Sequence, residues 1–360
     1  MDKAPARAAQ LAARESYGKL LALLSVRTHD IAQAEDALAD AFTKALSHWP
    51  EHGVPNNPDA WLLTVAKNRL TDRQRHLAKF HFDGDVPELA DTPEEETPLP
   101  DKRLSLLLVC THPALPKDLH TPLMLQTVLG LEAKEIARLF LISPSALSQR
   151  LVRAKKKIRN AGIPFHIPEA ELLAERASSI LEAIYSLHAL DWLEPKDSKG
   201  DEALYLADLM CRLLPNQPES LGLASLIGFA HARQYARIID GTLVPIDTQD
   251  VSLWDSSLIA YGNRQLAKAA SFSQPGRFQL EAAIESVHIA RKSSGKVDWT
   301  ALNRLYHGLI AVHPTAGSLV AQAVVTGKIH GAQTGLNALD QLTPSIGTAF
   351  QPYWAAKLIF

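Results

Sequence analysis

LEAKEIARLFLISPSALSQRLVRAKKKIRNAG, residues 131–162, is the stretch whose reading decides the fold. Glu132 to Phe140 have the spacing of a short helix, Leu141-Ile142-Ser143 interrupt it, and Pro144 to Asn160 restart a longer one. Ser143 suits the N-cap, and Pro144 suits the first helical position, where a missing N–H costs nothing and a fixed φ is already helical. At 100° per residue, Leu147, Leu151, Ala154 and Ile158 share one stripe, while Ser145, Ser148, Gln149, Val152 and Lys156 share the opposite one, with Arg153 and Lys155 on its flanks. A short helix, a tight turn and a second helix with one face to bury and one to show make a helix-turn-helix pattern. Residues 150–159 hold six Lys or Arg and no acid. A charge run alone is usually a solvated helix face; joined to the turn and the two-faced helix it points to DNA. The N-terminal half offers small and amide groups to base edges, and the C-terminal half offers cations to phosphates. The candidate DNA-reading residues are therefore Ser145, Ser148, Gln149, Val152, Arg153, Lys155 and Lys156.

A second basic helix lies upstream. DAWLLTVAKNRLTDRQRHLAKF, residues 59–80, carries five Lys or Arg, with an apolar seam through Trp61, Leu62, Val65 and Leu70. Asn57 followed by Pro58 is a helix start, and the pattern runs to about Leu77. Before it, separated by the loop of residues 50–56, a helix over 31–49 buries Ile31, Ala34, Leu38, Ala41, Ala45 and Trp49, with Asp30 as its N-cap, and turns Asp36, Asp40, Thr43 and Ser47 outward. Five cations on a helix with an apolar seam again describe a nucleic-acid-facing surface, a weak signal when taken alone.

Composition sets the limits. A chain of 360 residues, 46% hydrophobic and 21% charged, predicts a globular protein of two or three domains. The net charge of −2 conceals a segregation. Residues 83–103 carry eight acids and two bases amid repeated prolines, the composition of a flexible linker. Outside it, residues 1–165 have 20 bases and 12 acids, and residues 166–360 have 15 and 19. Two cysteines, Cys110 and Cys211, make no disulfide framework, and no stretch nears the ~20 apolar residues of a membrane span, so a cytoplasmic location without membrane partners is expected. Cys110, His112 and His120 lack the paired spacing of a zinc site, and no phosphate loop, G-x-S-x-G or H-E-x-x-H occurs. No cofactor, metal or enzymatic activity is expected.

The fold expected is all-α: two small helical domains (1–82 and 104–165) joined by the acidic linker of 83–103, then a helical, repeat-like extension over 166–360. Gly162-Ile163-Pro164 closes the second domain. Beyond it, amphipathic stretches fall near 168–192, 201–214, 217–236, 252–271, 277–292, 298–312 and 333–342, and Asp240-Gly241 between Ile238-Ile239 and Thr242-Leu243 predicts a short hairpin. The short connection at 162–167 and the opposite charges of the two parts suggest an extension that docks on the DNA-reading domains or communicates with them.

The stretches AEDALADAFTKALSHWP (34–50), NPDAWLLTVAKNRLTDRQR (57–75) and GLEAKEIARLFLISPSALSQRLVRAKKKI (130–158) resemble regions 2 and 4 of sigma-70-type RNA polymerase sigma factors of the extracytoplasmic-function (ECF) class. CTHPAL (110–115), AGIPF (161–165), GTLVPIDTQD (241–250) and GRFQLEAAIESVH (276–288) resemble the subgroup with a long C-terminal helical, tetratricopeptide-like extension. The chain departs from that pattern at Thr111, where a second cysteine is usual, and over Tyr185–Leu190. The resemblance implies a promoter-specificity subunit with core RNA polymerase, at its β′ clamp helices and β flap, and double-stranded and opened promoter DNA as partners. It implies that Asp36 and Asp40 touch polymerase, that Asn68, Arg69, Asp72 and Arg73 face the minus-10 element, that residues 145–156 read the minus-35 element, and that the extension, with a protein or ligand partner of its own, exerts control. The alternative is a helix-turn-helix regulator whose extension senses a ligand and which does not bind polymerase.

Overall fold

The computed structural model describes residues 16–81, 101–140, 142–168, 170–193, 199–346 and 350–360. The acidic linker lies, as far as residue 100, outside the described residues. The described chain is almost wholly helical, and it divides into two compact units, residues 1–186 and 187–360.

The first unit begins with α1 (Tyr17–Thr28), α2 (Ile31–His52) and α3 (Pro58–His81). Asp30 caps α2 as its sequence predicts, its Oδ1 accepting from the backbone N–H groups of Ala32 (3.0 Å) and Gln33 (3.3 Å). Ile31, Ala34, Leu38, Ala41, Ala45 and Trp49 are all buried. Trp49 meets Trp61 of α3 edge-on at 5.5 Å, an aromatic pair that fixes how the two helices cross. Asn57 caps α3 through the N–H of Ala60, with Pro58 at its first position, and α3 continues to His81, four residues beyond the expected end.

The helices α4 (Arg103–Cys110), α5 (Lys117–Leu129), α6 (Ala133–Leu139) and α7 (Pro144–Asn160) follow. Gly130 ends α5 at φ +65°, and Glu132 with Glu135 forms a capping box that starts α6. The two sequence-predicted domains are not apart in this unit. Helix α1 packs on α2, α4 and α5 together. A Cβ added to Gly18 would lie 1.9 Å from the Val128 carbonyl oxygen, so the backbones of α1 and α5 approach as only glycine allows. The Tyr17 ring covers Gly130 in the same way.

Helix α8 (Ala170–Leu193) crosses the boundary between the units. Its Leu173, Ala177, Ile180, Leu181 and Ile184 are buried; Ser179 Oγ lies 3.4 Å from His120 Nδ1, and Arg176 donates to the Leu108 carbonyl. Punctuation at Gly162-Ile163-Pro164 therefore precedes the boundary set by compactness, because α8 carries an apolar face that the first unit needs covered.

The second unit contains α9 (Lys199–Leu213), α10 (Pro218–Ala232), the one-turn α11 (Gln234–Arg237), the hairpin β1 (Ile238–Ile239) and β2 (Thr242–Leu243), α12 (Ser256–Ala270), α13 (Arg277–Ile289), the one-turn α14 (Arg291–Ser294), α15 (Trp299–Val312), α16 (Ala316–His330), α17 (Ala332–Ile346) and α18 (Gln351–Lys357). The long helices pack on helices one or two positions away in sequence, α10 meeting both α12 and α13, the connectivity of a helical repeat. Helix α10 is apolar on all sides and correspondingly buried along almost its whole length among α9, α12 and α13. The hairpin pairs Ile238 with Leu243 and Ile239 with Thr242, turning through Asp240 (φ +50°) and Gly241 (φ +77°), as an Asp-Gly turn should. Helices α16 and α18 are additional to those the periodicity predicts. AGSLVAQAVVTGKIH has small or apolar residues on every side, and its start is marked instead by a capping box of Thr315 and Ser318.

The glycine contacts are directly testable. Gly18→Ala should destabilise the protein by about 1–3 kcal/mol in a urea titration, because backbone must move to admit the methyl group. Gly317→Ala, whose new methyl would meet nothing closer than Thr315 Oγ1 at 3.9 Å, should be neutral or slightly stabilising. Equal midpoints for the two variants would show that the close approach of α1 to α5 does not hold the unit together.

Candidate nucleic-acid and polymerase interface

Helix α7 carries the larger part of the site. Leu147, Leu151, Ala154 and Ile158 are buried, which turns Ser145, Ser148, Gln149, Val152, Arg153 and Lys156 to solvent as one continuous exposed face. Val152, the apolar member of this face, is 62% exposed. Ser143 makes no side-chain cap; its hydroxyl instead lies 2.9 Å from that of Ser145 at the entrance to the helix.

The six cations of α7 have different fates. Arg150 pairs with Asp118, and Lys157 donates to the Ala114 carbonyl; both bonds tie α7 to its own domain. Lys155 Nζ lies 2.6 Å from both carboxylate oxygens of Glu35 on α2, and Arg159 lies 3.4 Å from Asp30. Arg153 and Lys156 make no ion pair among the described residues, and with Lys157, Asn160 and Ala161 they line a shallow recess. Two uncommitted cations beside amide groups are suited to phosphate oxygens flanking a groove.

Lys155 is therefore the sequence-predicted residue that the structure does not bring to the exposed face. It is 7% exposed, one step from Ala154 on the flank of the buried stripe, and its ammonium reaches Glu35 on α2. Burial pushes the Glu35 carboxyl above its ordinary range against the opposing pull of Lys155. In so desolvated a place, removing one partner costs far more than the pair is worth, on the order of 3–5 kcal/mol. Reasoning from sequence misses Glu35 because it sits beside Ala34 at the edge of a buried stripe and has no local partner.

The second part of the site lies on α2 and α3. Asn68, Arg69, Asp72 and Arg73 are exposed on α3, and Asp36 and Asp40 are exposed on α2. The structure brings the two sets together: Arg69 lies 2.7 Å from Asp40, and Arg73 lies 3.7 Å from Asp36. All four side chains are more than half exposed, so each pair contributes at most about 1 kcal/mol and yields readily to a stronger partner. Leu46, also on α2, is 54% exposed. It falls outside the acidic row of Asp36, Asp40, Thr43 and Ser47, and an exposed leucine among polar neighbours is the signal that would have found it.

Cys110 is fully buried, its thiol pushed up to about 12 by burial, with Thr127 as hydrogen-bond partner at 3.4 Å. His120 is buried with its Nε2 3.3 Å from the Leu115 carbonyl. No group of His, Cys, Asp or Glu suited to a metal occurs among the described residues, and no described helix is long and apolar enough to cross a membrane.

A helix-turn-helix with an open recognition face, preceded by a capped three-helix module that bears a second exposed basic helix and an acidic row, defines a DNA-binding protein that reads nucleic acid with two modules. The comparisons with known proteins give that class its family. Residues 13–80 match sigma-70 region 2, residues 105–158 match sigma-70 region 4, and residues 176–270 match a family of unknown function, DUF6596. An uncharacterized protein of Rhizobium meliloti (strain 1021) is 33% identical over 325 residues, covering 86% of this chain and 77% of the relative. A probable RNA polymerase sigma factor, RfaY, of Xanthomonas campestris pv. campestris is 24% identical over 163 residues (41% of this chain, 40% of the relative), and the RNA polymerase sigma factor SigZ of Bacillus subtilis (strain 168) is 26% identical over 136 residues (38% and 76%). No solved structure matches the chain. The chain belongs to the sigma-70 family of RNA polymerase sigma factors, as an ECF-type member with a C-terminal DUF6596 domain. It directs transcription initiation, with core RNA polymerase and promoter DNA as partners.

The exposed face of α7 sets the expected mutant behaviour. Arg153→Ala and Gln149→Ala should each weaken binding to duplexes carrying the cognate minus-35 sequence by about 1–3 kcal/mol, with core polymerase affinity unchanged. Electrophoretic mobility shifts on a selected duplex and a scrambled one give the measurement; equal affinity of both variants and the wild type for the selected duplex would take these residues out of the groove.

Proposed function

We propose that the chain engages polymerase and promoter through three separate surfaces, with residues in distinct roles. The observation that carries this reading is the division of exposed side chains by chemistry: acids and a leucine on α2, cations and amides on α3, and small, amide and cationic groups on α7. Asp36, Asp40 and Leu46 meet the β′ clamp helices of core polymerase, Leu46 as the apolar anchor and the two acids as the polar rim. Docking there would draw the acids away from Arg69 and Arg73. Those arginines, with Asn68 and Asp72, are then available to the opened strand of the minus-10 element. Ser145, Ser148, Gln149 and Val152 read base edges of the minus-35 element, and Arg153 and Lys156 hold the flanking phosphates, while region 4 rests on the β flap. None of these roles needs covalent chemistry, and the protein works in the cytoplasm, where polymerase and promoter are. The C-terminal helical unit regulates this activity.

Run-off transcription with bacterial core polymerase, on templates recovered by mapping transcripts that appear on overexpression, is the direct test. Wild type should give promoter-dependent product. Leu46→Ala and Asp36→Lys should reduce core affinity by roughly tenfold each, the loss expected for an interface anchor and for a reversed charge at a complementary rim. Because Asp36 also faces Arg73, Asp36→Asn serves as the milder control. A wild type that binds no core polymerase, or variants that bind as well as wild type at moderate salt, would refute the assignment of this face.

Removal of the second unit tests its role. A chain ending after residue 193 keeps the part of α8 that the first unit buries, and it should still bind core polymerase while its transcription in vivo changes several-fold in one direction. Matched activity at matched protein levels would leave the second unit without a regulatory role.

A further inference from the structure

The segment between α11 and α12 in the second unit is held firmly on one side and left bare on the other. Arg291 donates to the carbonyls of Ile246 and Gln249, Lys292 to that of Trp254, and Gln249 Nε2 to that of Val244. Arg233 donates in turn to Gln249 Oε1, and the Arg291 guanidinium lies 5.2 Å from the centre of the Trp254 ring. Gln249 and Trp254 are buried, so the held side is closed to water. The bare side has a single sign of charge. Residues 238–255 include four acids, Asp240, Asp247, Asp250 and Asp255, all exposed, and no Lys or Arg. Arg233, Arg291 and Lys292 reach the segment through carbonyls and an amide, and Asp240 and Asp247 make no ion pair among the described residues.

Large apolar side chains scattered singly over a surface need no explanation. Here they gather: Tyr235 is 72% exposed, Leu243 58%, Ile239 46% and Leu253 45%. Helix α11 carries Tyr235 directly into β1, and the turn at Val251–Leu253 packs on α11, so all four belong to one local structure. The register gives them direction. Ile238 faces Leu243 across the ladder and Ile239 faces Thr242, so Ile239 and Leu243 leave the hairpin on opposite faces. Because both are exposed, the hairpin stands clear of the helices. A cleft covers both faces of such a ribbon at once, whereas a flat surface covers one.

We propose that this hairpin docks in a cationic cleft of core RNA polymerase, with Ile239 and Leu243 as apolar anchors and Asp240 and Asp247 as the polar rim, which gives the second unit a contact of its own with the enzyme. The sign of the charge selects this occupant. Of the chain's two partners, promoter DNA repels an acidic segment that has no cation of its own, whereas a polymerase must line the paths of its template and product with cations. Rigidity favours the contact as well, since a ribbon already fixed at its base loses little conformational freedom on binding. The contact is additional to the three surfaces proposed above and uses none of their residues; it rests only on core polymerase being a partner.

The test uses the full chain with photoreactive p-benzoylphenylalanine in place of Leu243 or, as a control, in place of the exposed Gln333 of α17. Illumination of its complex with purified bacterial core RNA polymerase should join position 243, but not position 333, to a β or β′ subunit. In a fluorescence-anisotropy titration at moderate salt, Ile239→Ser with Leu243→Ser should lower core affinity by roughly tenfold. Asp240→Asn with Asp247→Asn should lower it several-fold; asparagine suits position 240, where φ is +50°. Both pairs lie on the exposed side, so the melting temperature should stay at the wild-type value. Crosslinks from position 243 to a second copy of the chain alone would overturn polymerase as the occupant, and so would paired variants that bind core polymerase as tightly as wild type. A holoenzyme that forms through α2 yet gives no crosslink from position 243 refutes this contact alone, whereas a wild type that forms no holoenzyme refutes it together with the three surfaces proposed above.

Discussion

The close approach of α1 to α5 governs the first unit. Gly18 sits where any side chain would run into the Val128 carbonyl, so α1 settles against region 4 as deeply as backbone permits. Leu20, Leu21 and Leu24 are thereby buried in an interior that α1 shares with α2 on one side and with α4 and α5 on the other. One helix serving two cores makes a single body of what sequence punctuation divides in two, and it sets the register in which Lys155 meets Glu35.

That register sorts the basic run of α7. As a string of residues the run is uniform, and electrostatics alone would assign all six cations to DNA. Packing divides them: Arg150 and Lys157 secure the domain, Lys155 and Arg159 face region 2, and Arg153 and Lys156 make no ion pair among the described residues. The same economy appears on α2 and α3, where Asp36 and Asp40 neutralise Arg73 and Arg69. Exposed pairs of this kind are weak and exchangeable.

The second unit uses cations differently. Arg291 donates to the carbonyls of Ile246 and Gln249, Lys292 to that of Trp254, and Arg233, almost wholly buried, to Gln249 and Glu285. These bonds act with the burial of Trp254 among Phe229, Ala236 and Ile289 to hold residues 238–255 in place. The nearby His188 imidazole is pushed down to about 4, chiefly by burial, and so is kept neutral in a crowd of arginines. A loop held by its backbone carbonyls keeps a fixed shape whatever side chains it displays, including the exposed Ile239 and Leu243.

Much of this protein is determined by local sequence. The helix-turn-helix at 131–162, the caps at Asp30 and Asn57, the Asp-Gly hairpin and the exposed face of Ser145, Ser148, Gln149, Val152, Arg153 and Lys156 all follow from interactions within a few residues, which a periodic pattern or a capping residue records directly. Helix α16 escapes the pattern because a helix small or apolar on almost every side has no period to detect, and α18 because seven residues are too few to establish one. Only the tertiary structure decides that Lys155 turns away from the exposed face of α7, that Asp36 and Asp40 are held by arginines of the next helix, and that α8 covers the first unit before it enters the second. Those outcomes depend on partners distant in sequence, Glu35 lying 120 residues from Lys155. A charge records its own sign in the sequence, but the group that will neutralise it is chosen by how the helices pack.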